Sequence, residues 1–139
     1  MDSAVSSFSY RSWDLWLLGY PEAALSDADQ AVSDARQLDQ AATLIYALWH
    51  ASVTQTECGN YATASAQLEE ATALAEEKGA AFWKGIATMV QGRVLALTGD
   101  SLNAIQAVTS GITAVRVRFL FWFRLISPEL RDVLAKLRL

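Results

Sequence analysis

The sequence is poor in the residues that build covalent, metal-bound or catalytic centres. Of its 139 residues, one is cysteine (Cys58), one is histidine (His50) and two are proline. A single cysteine excludes an intramolecular disulfide and a cysteine-rich zinc site, and it is typical of proteins kept in a reducing compartment. We therefore expect a cytoplasmic protein that holds neither a metal ion nor another cofactor.

Long apolar runs and a secretory leader are also missing. The first ten residues, MDSAVSSFSY, have no basic stretch followed by an apolar core, as a signal peptide would. The most apolar run, VRVRFLFWFRLI at 115–126, contains three arginines. It is also shorter than the roughly twenty apolar residues that a bilayer requires. We expect no membrane span.

Positive charge is scarce in most of the chain. Residues 1–114 contain five basic against thirteen acidic side chains, a balance of −8, whereas residues 115–139 contain six against two, a balance of +4. The acidic body argues against nucleic-acid binding, which depends on basic patches. The basic end could contact a membrane surface or an acidic partner, although a solvated basic amphipathic end is the simpler interpretation.

Helix-forming residues, in contrast, are abundant. Apolar residues make up 53% of the chain, alanine is prominent among them, and Ala, Leu, Gln, Glu and Arg all favour helices. The alternation of apolar and polar residues that is typical of strands is rare. The predicted fold class is therefore all-α. A chain of this length is typical of one domain, so we predict a single repeat domain over residues 1–139.

A forty-residue repeat runs through the chain. Gly19, Gly59 and Gly99 recur at this interval, and an alanine follows each of them after five residues. Several other columns of the same register also contain small or apolar residues, and chance would not align so many of them. A fixed period of this size marks stacked supersecondary units. These further columns contain Ala28, Leu68 and Val108; Ala31, Ala71 and Gly111; and Ser12, Ser52 and Gly92.

The repeat predicts helix hairpins. Glycine ends a helix readily because it adopts the left-handed conformation without a side-chain clash. Small residues at a spacing of seven then let the two helices of a hairpin approach closely. We predict three units over about residues 1–39, 40–79 and 80–118, followed by a tail at 119–139. The predicted helices cover about residues 7–18, 22–38, 41–58, 61–78, 81–98 and 101–118.

The step Gly59, Tyr61 and Ala64, followed by Ala71, resembles the tetratricopeptide repeat. Over about residues 10–116, segments such as LWLLGYPEAAL and ALWHAS are also similar to the C-terminal helical repeats of large bacterial signalling proteins. Those proteins join a cyclase or kinase domain to a predicted ATPase. The resemblance implies a right-handed superhelix of hairpins that serves as a scaffold. It implies no catalysis, because that family's chemistry lies in its other domains and no GxxxxGK[ST] loop occurs here.

The same resemblance implies a concave groove lined by the first helix of each unit. The groove positions fall three, six, ten and thirteen residues before each repeat glycine, where aromatic, methionine and arginine side chains are typical of recognition surfaces. Burial in the core is the alternative for several of them, and Trp83 is expected to pack between units. Arg93 is expected to hold an anionic group of the partner. The candidate partner-binding residues are Trp13, Trp16, Tyr46, Trp49, Val53, Met89 and Arg93.

Catalytic interpretations have little support. His50 and Cys58 would have to be in contact to act as a nucleophile pair, and we expect instead a partly exposed histidine and a buried cysteine at a turn. The paired acids at 69–70 and 76–77 point in different directions on a helix, so we expect them to form a solvated face. We predict that the protein is not an enzyme.

The C-terminal tail departs from the repeat after Val117. Ser127, Pro128 and Glu129 form a good helix start, so we predict a final helix that caps the open end of the stack. The run FLFWF is either buried there or forms an interface with a second chain, and we favour a homodimer. The residues assigned to capping or oligomerisation are Phe119, Phe121, Trp122 and Phe123.

Three functions remain open at this point. The sequence favours a non-catalytic scaffold that binds a protein or peptide in its groove. A small-ligand sensor with a closed aromatic cavity is one alternative. A homo-oligomerisation module built on the C-terminal tail is the other.

Overall fold

The computed structural model describes the backbone of residues 1–126 and the side chains of residues 1–118. Over this part the chain is helical apart from its first two residues and short turns, which confirms the all-α prediction. No helix among the described residues has the length and hydrophobicity needed to cross a membrane. The six helices are α1 (Ser3–Leu17), α2 (Pro21–Gln37), α3 (Ala41–Glu57), α4 (Tyr61–Glu77), α5 (Ala81–Leu97) and α6 (Ser101–Ile126).

The two outer helices are longer than predicted. Helix α1 begins at Ser3 because the Asp2 carboxylate caps it, accepting hydrogen bonds from the backbone N–H groups of Ala4 (2.9 Å) and Val5 (3.1 Å). Helix α6 continues to Ile126 instead of ending near 118, since it meets neither a glycine turn nor a proline before that point. The predicted capping helix at 127–139 lies outside the described residues.

The turns repeat every twenty residues, as the predicted helix bounds require, so each forty-residue unit of the sequence contains two of them. Each turn contains one residue with a left-handed backbone: φ is 88° at Gly19, 51° at Asp39, 81° at Gly59, 64° at Gly79 and 94° at Gly99. The links between hairpins therefore have the same local geometry as the turns within them. The second turn differs only in having an aspartate where the other four turns have glycine.

Backbone hydrogen bonds close these turns. In the first turn the N–H of Tyr20 donates to the carbonyl of Leu15 at 2.9 Å, and the N–H of Gly19 donates to that of Trp16 at 3.0 Å. The same pair of bonds recurs at the Gly59, Gly79 and Gly99 turns. This is the Schellman arrangement, which satisfies the last carbonyls of a helix when the following residue is left-handed.

Helices of odd and even number form different parts of the structure. Each helix contacts its sequence neighbours, and in addition α1 contacts α3 and α3 contacts α5. Over the described residues the backbones of the even-numbered helices do not approach one another, although the Arg36 side chain of α2 reaches Glu70 of α4. The odd helices thus form a continuous layer, which we call the odd face, and the even helices pack behind it.

Small residues set the spacing within each hairpin. Ala64 and Ala71 of α4 are fully buried, as the repeat columns predicted. In the third hairpin the contact is closer still: a Cβ atom built on Gly92 would lie 2.6 Å from Cγ2 of Val108, and one built on Gly111 would lie 2.6 Å from the carbonyl oxygen of Gly85. Any larger side chain at these points would separate the helices.

Replacing Ala71 with leucine tests this close contact. Ala71→Leu is expected to destabilise the fold by about 1–3 kcal/mol, because the buried site has no room for the added atoms. Ala73→Leu is the matched control on the same helix, where the side chain is exposed. Urea unfolding followed by circular dichroism measures both. Equal stability of the two variants would contradict close helix packing at Ala71.

The turns allow a pair of substitutions with opposite expected effects. Gly59→Ala should cost about 1–2 kcal/mol, and since a Cβ there would meet nothing within 4 Å, the whole effect is backbone strain. Asp39→Gly should raise stability, because it relieves a left-handed non-glycine residue. Thermal unfolding of the two variants shows whether each substitution raises or lowers stability. A stabilising Gly59→Ala would refute the left-handed backbone at this turn.

Candidate functional site

Aromatic side chains from three helices meet on the odd face. Ring contacts at 4–6 Å connect α1 to α3 and α3 to α5, so the rings form one continuous group that we call the aromatic cluster. Spacings of three and four residues place its members on one side of each helix. The cluster consists of Tyr10 and Trp13 from α1, Tyr46, Trp49 and His50 from α3, and Trp83 from α5.

His50 lies at the centre of the cluster. Its ring stacks on Trp13 at a centroid distance of 4.2 Å, and it contacts Tyr46 at 4.2 Å and Trp49 at 4.4 Å. The residue is only 1% exposed, and neither ring nitrogen has a hydrogen-bond partner. Burial among apolar rings lowers the pKa of His50 to about 4, since the charged imidazolium is disfavoured there.

The expected environments of His50 and Cys58 are therefore reversed. His50 is buried, whereas Cys58 ends α3 and is partly exposed. The pKa of the Cys58 thiol is raised, chiefly by burial and further by the neighbouring Glu57 carboxylate, so its thiolate is disfavoured. The repeat could not show this difference. It aligns His50 with Tyr10 and Val90, but it does not indicate how deeply a residue at that position is buried.

Beside the aromatic cluster, α1 and α3 form an open notch of about 180 Å³. Trp16 is half-buried in its wall, and Leu17 is 73% exposed at its edge. The two helices are joined nearby by a buried hydrogen bond between the hydroxyl groups of Ser12 and Thr54 at 2.9 Å. The residues that line the notch are Trp13, Trp16, Leu17, Val53, Thr54 and Glu57.

An ion pair borders the notch. Arg93 of α5 contacts the Glu57 carboxylate, and half of the Arg93 side chain is exposed while Glu57 is more enclosed. Arg93 was expected to hold an anionic group of a partner, but its charge is already balanced by Glu57. The sequence hid this pair because the two residues are 36 positions apart (93 against 57) and meet only through the contact of α3 with α5.

The other predicted groove residues occupy different environments. Val53 and Trp16 line the notch, and Trp49 is half-buried in the aromatic cluster. Tyr46 is only 6% exposed and belongs to the core, because it faces the next unit. Met89 lies over Gly111 of α6, since the absence of a side chain there opens space between α5 and α6.

The remaining predictions concern the acids and the tail. The acids of α4 are exposed, and their contacts are with basic side chains: Glu70 with Arg36 at 2.8 Å and Glu76 with Lys84 at 2.8 Å. Such exposed pairs contribute little to stability. Within the described part of the chain, no three His, Cys, Asp or Glu side chains are grouped to hold a metal ion. The side chains of Phe119, Phe121, Trp122 and Phe123 lie outside the described residues.

Several residues of this face were not identified from the sequence. Tyr10, Leu17 and Glu57 all contribute to the cluster or the notch, and His50 occupies its centre. A signal was present, because each of them lies within one helical turn of a predicted groove residue. Knowing in addition that α1 contacts α3 would have identified these residues as part of the same face.

Comparison with known proteins gives no match: no family model, no curated protein and no solved structure corresponds to this chain.

The burial of His50 predicts how stability changes with pH. Its pKa of about 4 in the folded state lies below its ordinary value of 6.5, so the unfolded chain binds the proton first. The contribution of neutral His50 to the free energy of unfolding is fully present above about pH 6.5 and is lost as the pH falls towards 4. The expected loss is on the order of 2 kcal/mol.

The control for this prediction is His50→Phe, which keeps an aromatic ring but cannot be protonated. Urea unfolding of both chains at pH 7 and pH 4.5 separates the histidine from the carboxylates that also titrate in this range. The native chain should lose more stability than the variant. An identical loss in both would contradict the buried, neutral imidazole.

Proposed function

We propose that the protein is a non-catalytic helical repeat module that binds a protein or peptide through its odd face. The observation that carries the proposal is the open notch between α1 and α3, where half-buried and exposed apolar side chains lie beside an ion pair. Apolar surface with a polar rim is typical of interaction sites, and tryptophan is prominent among residues that dominate binding energy.

The arrangement of the helices supports a solenoid. Contacts that join α1, α3 and α5 directly, with the even helices packed behind them, fit a stack whose inner helices approach more closely than its outer ones. We propose three units in a right-handed superhelix, as in tetratricopeptide-like repeats. The odd face would then be concave. The resemblance to the repeat region of bacterial signalling proteins suggests the setting in which such a scaffold acts.

The dimensions of the notch favour a side chain over a metabolite. About 180 Å³ is smaller than the roughly 300–1,000 Å³ that is usual for small-molecule sites. The notch is also open towards solvent instead of closed around a ligand. It therefore suits one large apolar side chain of a partner, held as an anchor in the way that peptide grooves hold theirs.

Charge indicates that this partner is basic. The Glu57–Arg93 pair at the notch balances its own charge, so the sign of the partner's charge is set by the surrounding surface. Residues 1–114 have a net charge of −8, which attracts a basic chain over longer distances. This reverses the anionic partner that Arg93 alone had suggested, because Arg93 is paired with Glu57.

A selection from a random peptide library displayed on phage tests the proposal. The selected peptides should combine a large apolar residue with lysine or arginine, and their binding should weaken with added salt. Trp16→Ala and Glu57→Gln should each weaken binding by about tenfold or more, measured by fluorescence anisotropy with the selected peptide.

Leu102→Ala is the control, because Leu102 is an exposed apolar residue of α6 and lies outside the notch. This variant should bind the peptide as tightly as the native chain. Failure to select any peptide would overturn the proposed function. Peptides that bind Trp16→Ala and Glu57→Gln at native affinity would show that the notch is not the site.

A further inference from the structure

Helix α6 carries exposed apolar residues on a side that flanks its contact with α5. Leu102 is 84% exposed, Ile105 is 67% exposed and Ile112 is 51% exposed. Together with Thr109 and Arg116 they follow spacings of three and four residues, which is the heptad pattern of a helix that packs against another along a narrow seam. We call these five residues the α6 seam.

In the earlier units the positions equivalent to Ile105 and Ile112 are buried or half-buried, whereas those equivalent to Leu102, Thr109 and Arg116 are exposed. Val32 of α2, two repeats before Ile112, belongs to the core. Ser65 of α4, one repeat before Ile105, accepts a hydrogen bond from Gln91 of α5 at 3.3 Å. Ile105 and Ile112 therefore occupy stacking positions, yet on α6 they are exposed over the described residues.

The opposite end of the stack is different in character. The residues of α1 that correspond to the covered side of α3 are mainly polar and exposed, among them Ser3, Ser7 and Asp14. Repeat stacks need a polar outer surface at a free end. The first helix largely meets this requirement, whereas α6 does not.

We propose that a second copy of this chain covers the α6 seam, with the two α6 helices packed antiparallel. Helix α6 suits such a pairing because it has 26 residues, against 17 in each of α2 to α5. Pairing about a twofold axis buries the same surface on both chains.

Charge determines the antiparallel orientation. Between residues 101 and 118 the only charged side chains are Arg116 and Arg118. A parallel pair would place each arginine opposite its copy, where like charges repel. An antiparallel pair brings them towards the start of the partner helix, where Asp100 supplies a carboxylate.

This interface is independent of the proposed function, because the seam lies on an even-numbered helix and the notch lies between odd-numbered ones. It also differs from the dimer expected from the tail, since its contacts involve Leu102, Ile105 and Ile112 and not the run at 119–123.

Size-exclusion chromatography with light scattering on the full chain, at micromolar concentration, tests the pairing. The native chain should have the mass of a dimer, and Ile105→Glu and Ile112→Glu should each give a monomer with unchanged helical content. Leu18→Glu is the matched control, because Leu18 is exposed at the end of α1, and it should remain dimeric. The proposal would be overturned by a monomeric native chain, or by Ile105→Glu and Ile112→Glu variants that both remain dimeric.

Cysteine cross-linking tests the orientation. Leu102→Cys and Arg116→Cys are prepared separately in a Cys58→Ser background and oxidised alone or mixed. An antiparallel pair predicts disulfide-linked dimers mainly in the mixture. Equal cross-linking of each variant with itself would refute the antiparallel arrangement. The peptide affinity of Ile112→Glu should stay native, so loss of the dimer and loss of partner binding are distinguishable.

Discussion

The close approach of paired helices is the constraint on which the rest of this structure depends. It is possible only because alanine or glycine occupies the contact points, as at Ala64, Ala71, Gly92 and Gly111. Protein interiors are densely packed, so a gap of even one methylene group is felt. Near-contact of the backbones allows a chain with many alanines to bury a continuous core. The turns then need only three residues, because neighbouring helices are so near.

Small residues fill the contacts within each hairpin, and the large aromatic side chains lie at the contacts between hairpins. Five of the six residues of the aromatic cluster lie on α1 and α3, and the sixth, Trp83, joins from α5. The rings fill the space between neighbouring odd helices, whose contacts include large side chains as well as small ones. His50 completes this packing without a hydrogen bond. The notch forms where the rings end, so the proposed binding surface follows from the same packing that joins the odd helices.

Much of the fold was predictable from the sequence, and the reason is local. Gly19, Gly59 and Gly99 mark turns because their backbone conformation favours glycine, and the alanine columns mark buried contacts because larger residues do not fit. The depth of a column was not predictable, since His50 and Tyr10 share a register but differ in what covers them. Pairs between units, such as Arg93 with Glu57, were also hidden. They depend on how hairpins stack, which the repeat pattern does not specify.

The central claim is that glycine and alanine hold the hairpin helices in near-contact, and nuclear Overhauser spectra of the labelled chain measure this directly. The structure places the Cβ position of Gly92 3.0 Å from the backbone nitrogen of Val108 and that of Gly111 2.9 Å from the backbone nitrogen of Met89. Strong cross-peaks are therefore predicted between the α-protons of each glycine and the amide proton opposite it. A fully helical chain that lacks both cross-peaks would contradict the account.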